Sequence, residues 1–251
     1  MPKFLNDVRT VFAREIAPEL RSPIGLLFAM IQPVLFLVLF GPMLSGADLQ
    51  QDSSSWRWFV PGILVMMCLF GPLGAGHALM TELSGGQMER FLATPISRVA
   101  LVAGRTAKDL IVLLIQAVLI IAVAMPLGLN LHLPGALACL GLLAVLGVGL
   151  SGFSYLLAIA ALPSGNLFWI VTQVFVFPVI LLSGVLLPVN AGPGWLETVS
   201  AFNPGRYVVD ACRALFNGDF LVAAVAQGLL AALLLAFAGV LLATRAMRRG
   251  V

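Results

Sequence analysis

The chain has 251 residues, of which 61% are hydrophobic and only 10% charged, with 14 basic side chains against 11 acidic ones. Soluble domains carry about a quarter charged residues, and no soluble fold of this length can hide so much apolar surface, so the bilayer is the expected solvent. The three cysteines, Cys68, Cys139 and Cys212, suit neither a disulfide framework nor a metal motif and read as small apolar residues.

Residues 1–23 include KFLNDVRTVFAREIAPELR. Phe4, Val8, Val11, Phe12, Ile16 and Leu20 recur at three- and four-residue spacing, away from Arg9, Arg14 and Glu19. This predicts an amphipathic helix lying in the membrane interface. A transmembrane helix needs about 20 mainly apolar residues, and six stretches qualify: 24–44, 60–80, 110–129, 135–162, 168–187 and 221–243. None of them contains Asp, Glu, Lys or Arg. The expected fold is an all-α integral membrane protein, a single domain over 1–251. The first span is read as uncleaved, because its apolar run exceeds that of a signal peptide.

Sidedness follows from the basic residues. Lys3, Arg9, Arg14, Arg21, Arg90, Arg98, Arg105, Lys108, Arg245, Arg248 and Arg249 fall on one side, against Arg57, Arg206 and Arg213 on the other. Both termini are therefore expected in the cytoplasm. Trp56, Trp58, Trp169 and Trp195 all lie near span ends, where amphipathic rings belong. His77 is the one readily titrating group inside a predicted span, near its cytoplasmic end.

The connection 81–109 is the largest cytoplasmic piece. It contains LSGGQMER, a string that also marks the ATPases of ABC transporters. Nucleotide binding needs a phosphate-cradling G-x-x-x-x-G-K-[ST] loop, and neither Lys3 nor Lys108 follows a glycine. The chain is therefore expected to hold no nucleotide and to have no catalytic residues, metal site or bound cofactor. Ser84 with Gln87 fits a capping box that would open a short helix. Thr94-Pro95 fits the start of a helix running through Arg98 and Arg105 into the third span. The outer connection 188–220 holds two short apolar-rich segments, 195–202 and 205–216, separated by Asn203-Pro204-Gly205. Their length predicts re-entrant or interfacial helices.

The loop residues Glu82-Leu83-Ser84-Gly85-Gly86-Gln87-Met88-Glu89-Arg90-Phe91, followed by Thr94-Pro95-Ile96-Ser97-Arg98, resemble the cytoplasmic loop of type-2 ABC exporter permeases. The likeness is to the branch of daunorubicin-resistance and nodulation-factor exporters. Leu182-Ser183-Gly184 with Pro188, Trp195-Leu196, Asn203-Pro204 and Tyr207-Val208-Val209-Asp210 extend it over essentially the whole chain. Ser84 to Gln87 depart from the family pattern, in which residues vary around one glycine.

The resemblance implies a permease subunit driven by a separate ATPase that carries the ATP and Mg²⁺. It implies two ATPase copies and a second permease, either this chain again or a related one, with membrane lipid around them and no nucleic acid. The loop would be a coupling helix, with Ser84, Glu89, Arg90, Phe91, Pro95 and Arg98 as its contact residues. The second and fifth spans would face the dimer centre, where Met66, Met67, Phe70, Phe175 and Phe177 could line a path for lipophilic cargo. The bacterial cytoplasmic membrane is the implied location. An ion-coupled secondary transporter, a lipid-modifying membrane enzyme and a non-transporting assembly subunit are the other classes. The first is disfavoured by spans without acids, and the second by the lack of a His, Asp or Cys cluster at one depth.

Overall fold

A computed structural model describes residues 2–21, 23–45, 55–85, 97–162, 165–186, 189 and 192–250. Among these, every regular element of more than one residue is an α-helix: α1 (Pro2–Arg21), α2 (Pro23–Ser45), α3 (Ser55–Ser84), α4 (Arg98–Ala124), α5 (Leu133–Ala160), α6 (Asn166–Leu182), α7 (Gly194–Ser200), α8 (Pro204–Asn217) and α9 (Ala223–Gly250). In α3, α4, α5 and the Ala223–Met247 part of α9, helices are long and apolar enough to cross a membrane, whereas α2 (over Leu27–Gly41) and α6 are apolar but shorter.

Local chemistry moves several boundaries from where hydropathy places them. The helix of the third span, α4, begins at Arg98, where Ser97 is extended and its side chain accepts a hydrogen bond from the Ala100 amide, so it is not continuous with a helix starting at Pro95. It stops at Ala124 rather than 129, just ahead of Pro126 and a turn whose Gly128 has φ +113°; proline cannot continue the amide ladder, and a positive φ is nearly strain-free only for glycine. Gly184, at φ +68°, similarly follows the end of α6 at Leu182, short of the expected 187. His132 caps α5, with Pro134 in its first turn. The final helix runs on past 243 to Gly250. Ser84 is the last residue of α3, and its hydroxyl donates back to the Met80 carbonyl. The helix that Ser84 and Gln87 are expected to open lies outside the described residues.

The centre of the bundle is α3, whose residues from Phe59 to Leu69 are buried. It packs against α2, α4, α5, α6 and α8. The longest interface joins α5 to α9 through small residues. A Cβ on Gly149 would lie 2.6 Å from the Leu235 carbonyl carbon, and one on Gly239 would lie 2.2 Å from the Gly149 oxygen. Such backbone-to-backbone approach is the packing that membrane helices use in place of a hydrophobic drive. At the α8 end of the bundle, the Trp56 ring fills the space above Gly41 and beside Gly128. At the α1 end, the amphipathic helix lies on α4, with Val11 only 1% exposed. A Gly239→Val variant should separate α5 from α9 and cost about 1–3 kcal/mol. Thermal unfolding of the purified protein should show a lower midpoint; an unchanged midpoint would contradict this packing.

Candidate functional site

Two polar clusters hold the bundle, one at each end. At the α1 end, Arg105 enters from α4 with 5% of its side chain exposed. Its guanidinium pairs with Glu82 of α3 and lies 3.3 Å from Glu15 of α1. One turn along α4, the Lys108 ammonium is 2.7 Å from Asp109 and 4.0 Å from Glu19. The Tyr155 hydroxyl of α5 donates to Asp109 at 2.5 Å. Arg98, half-buried at the start of α4, donates to the Met247 carbonyl of α9 at 3.0 Å. Charges removed from water persist only when paired and hydrogen-bonded, so these contacts fix α1, α3, α5 and α9 to one stretch of α4.

The sequence allows this packing because α4 carries Gly104 beside Arg105. A Cβ at Gly104 would come within 2.7 Å of the Val11 side chain and 3.0 Å of the Val8 carbonyl. Only a glycine lets the amphipathic helix approach closely enough for Glu15 to reach Arg105.

The connection 81–109, expected to receive the ATPase, itself contributes Glu82, Arg105, Lys108 and Asp109 to this cluster. Glu82 stands two residues before the end of α3, and Ser97 and Arg98 open α4. Glu89, Arg90, Phe91 and Pro95 lie outside the described residues. Ser84 is exposed at the end of α3.

The residues expected to line a cargo path separate into two groups. Met66, Met67 and Phe70 border a cleft with Ala29, Gln32 and Gln116, between α2, α3 and α4. Phe175 and Phe177 point away from the bundle on α6, 66% and 56% exposed. Within one chain these five side chains do not line a common cavity.

At the α8 end, Asn203 caps α8 by accepting from the Gly205 amide at 2.9 Å. Its amide nitrogen donates to the Val179 carbonyl at 2.7 Å and to the Ser183 hydroxyl at 3.0 Å. Gly205 is required there, since a Cβ would sit 2.4 Å from the Ser183 oxygen. Arg213 donates to the Gly184 carbonyl at 2.7 Å and to the Trp58 carbonyl at 3.1 Å, with its guanidinium carbon 3.8 Å from the Trp58 ring centroid. Burial pulls the Arg213 guanidinium down to about 10 against the opposing pull of Asp210, and burial pushes the Asp210 carboxyl up. Leu182-Ser183-Gly184 and Asn203-Pro204-Gly205, some twenty residues apart, are thus two halves of one clamp.

The Arg105 cluster escapes sequence reading because its members are 23 to 90 positions apart. The available signal was a run of charges, Arg105, Lys108 and Asp109, directly abutting an apolar stretch with no room for water.

The profile of the family described as ABC-2 type transporter matches residues 6–217, taking in both clusters. The chain belongs to the ABC-2 type transporter family. It is a membrane permease subunit of an ABC exporter. This ABC-2 permease is 27% identical over 219 residues to the ycf38 protein of Cyanophora paradoxa, provisionally named a transport permease, covering 85% of this chain and 75% of that one. It is 25% identical over 225 residues to the daunorubicin resistance ABC transporter permease protein DrrB1 of Streptomyces coeruleorubidus, covering 83% and 76%.

Replacing Arg105 by Gln should leave Glu82 without its cation and Glu15 with only the more exposed Arg14, 3.7 Å away, a loss of about 3–5 kcal/mol for a buried pair broken on one side. Denaturant unfolding should show that loss, and a stability change under 1 kcal/mol would mean that the pair is effectively solvated. Asn203→Ala removes a cap and two further hydrogen bonds. It should cost about 1–2 kcal/mol and raise amide exchange in 204–208, read by mass spectrometry.

Proposed function

We propose that this permease carries lipophilic molecules out of the cytoplasm, powered by a separate ABC ATPase that binds ATP and Mg²⁺. Two ATPase copies act on two permeases, either two of this chain or this chain with a relative. Six helices span the membrane: the four long ones, together with α2 and α6. Both termini lie on the cytoplasmic side of a bacterial inner membrane, as the crowding of Lys and Arg into the termini and the 81–109 connection supports. The chain itself hydrolyses nothing.

The connection 81–109 is the coupling loop, with Glu89 and Arg90 making charge-assisted contacts with the ATPase. Phe91 is the apolar anchor, Pro95 sets the turn, and Ser84 and Arg98 flank these residues. The observation that carries this reading is the attachment of both flanks to one buried cluster. A push on the segment is delivered to Glu82 on α3 and to Arg98 and Arg105 on α4, and from there to α1, α5 and α9. The drug-resistance name of the Streptomyces relative supports lipophilic cargo.

The test is to reconstitute the permease with its ATPase and measure drug efflux and nucleotide hydrolysis together. Glu89→Ala with Arg90→Ala should lower efflux at least tenfold, the equivalent of about 1.4 kcal/mol in interface energy, while the amount of folded permease is unchanged. Wild-type efflux in that double variant would remove the coupling assignment.

A further inference from the structure

Two cavities lie side by side along α2, α3 and α4. The first, of about 400 Å³, is lined at its α1 end by Glu19, Lys108 and Asp109. The second, of about 190 Å³, ends against Met66, Met67 and Phe70. Both share Ala29, Gly71 and Gln116 as walls, so they form one cleft with a charged mouth and an apolar end.

The cleft exists because its walls lack side chains. Gly25 and Ala29 line it from α2, and Gly71, Gly74, Ala75 and Ala78 line it from α3. Among the described residues, a Cβ built on Gly71 or Gly74 meets no atom within 4 Å. These glycines therefore differ from Gly149 and Gly239, where the space is filled by the neighbouring helix. They keep a gap open. Gln116, 8% exposed, stands where the two cavities join, and no described residue takes up its amide.

The mouth itself is lined by two carboxylates, Glu19 and Asp109, against one ammonium, Lys108. Asp109 is taken up by Lys108 and Tyr155. Glu19 is the loosely held member, 39% exposed and 4.0 Å from Lys108. At the far end, methionine thioethers and a phenyl ring offer a deformable, polarisable surface that favours bulky apolar groups. An excess carboxylate beside an apolar slot selects for positive charge, because in this low-dielectric setting an anion would meet both repulsion and desolvation.

We propose that the cleft between α2, α3 and α4 is a lateral binding site for amphiphilic cations. The positive centre rests near Glu19, and the apolar body reaches past Gln116 to Met66, Met67 and Phe70. This rests on the exporter reading and adds to it the charge class of the cargo and a place on the side of the bundle where the cargo is first held.

The full-length permease in lipid nanodiscs, with empty nanodiscs subtracted, is titrated with tetraphenylphosphonium and with tetraphenylborate, ions of one shape and opposite charge. Saturable binding of the cation at least tenfold tighter than of the anion is expected. Gly71→Leu and Gly74→Leu, which fill the cleft, should each weaken the cation about tenfold, and Glu19→Gln should weaken it about threefold and narrow the preference for the cation. Absence of saturable binding, equal affinity for the two ions, or wild-type cation affinity in both leucine variants overturns the proposal. If the leucine variants do not fold, the Glu19→Gln ratio decides, since that side chain is exposed enough to be replaced without a cavity. ATP hydrolysis by the complex with the ATPase, measured on the same preparations, separates the two readings. Binding without coupled hydrolysis sustains the cleft and removes the exporter reading, and coupled hydrolysis without binding does the reverse.

Discussion

The guanidinium of Arg105 is the contact on which the arrangement of the other helices depends. It is buried at the junction of α1, α3 and α4, and its charge persists there because Glu82 and Glu15 approach from two other helices. Removing a charge from water is expensive, so the geometry that compensates for it is strongly favoured over any that does not. The amphipathic helix is consequently seated on α4 as part of the bundle. Lys108, Asp109 and Tyr155 extend the same logic to α5, and Arg98 extends it to α9.

The opposite end is held by a different kind of chemistry. Asn203, Ser183 and Arg213 tie the end of α6 and the start of α3 to α8 through directional hydrogen bonds. Between these polar ends the helices meet through glycine, alanine and branched aliphatic side chains, whose contacts are non-directional. Directional bonds thus hold the ends, and close packing of small residues holds the middle. The cleft lined by Gly71 and Gly74 runs from the α1-end cluster into that middle zone.

Ser84 and Gln87 have the spacing of a capping box, and within the described residues Ser84 is the last residue of α3 and bonds backward to Met80. A serine hydroxyl reaches either the amide three residues ahead or the carbonyl four residues behind, and the choice depends on whether the preceding chain is already helical. Hydropathy placed the apolar stretches well. It misplaced their ends at Ala124 and Leu182, because Pro126, Gly128 and Gly184 act through backbone geometry and not through polarity. The basic residues abutting the third span carried the expected sidedness, but not that Arg105 and Asp109 are nearly fully buried.

Length and composition alone determined that the chain lives in a bilayer, that it is helical and which stretches carry its apolar length. The solvent imposes these properties on each segment independently of the others. The Gly-rich loop with Glu89, Arg90, Phe91 and Pro95, and the Asn203-Pro204 segment, carried the family likeness for the same reason, since each is a local string. Only the tertiary structure decided that Glu15, Glu82 and Arg105 meet, that Ser183 and Asn203 form one clamp, and that Met66 and Phe70 share a cleft while Phe175 and Phe177 do not. Pairing of buried charges and the width of a gap between helices depend on which faces are brought together. In an apolar helix nearly every face is hydrophobic enough to be the one that packs, so the selection falls to the few glycines and charges that make a single arrangement fit.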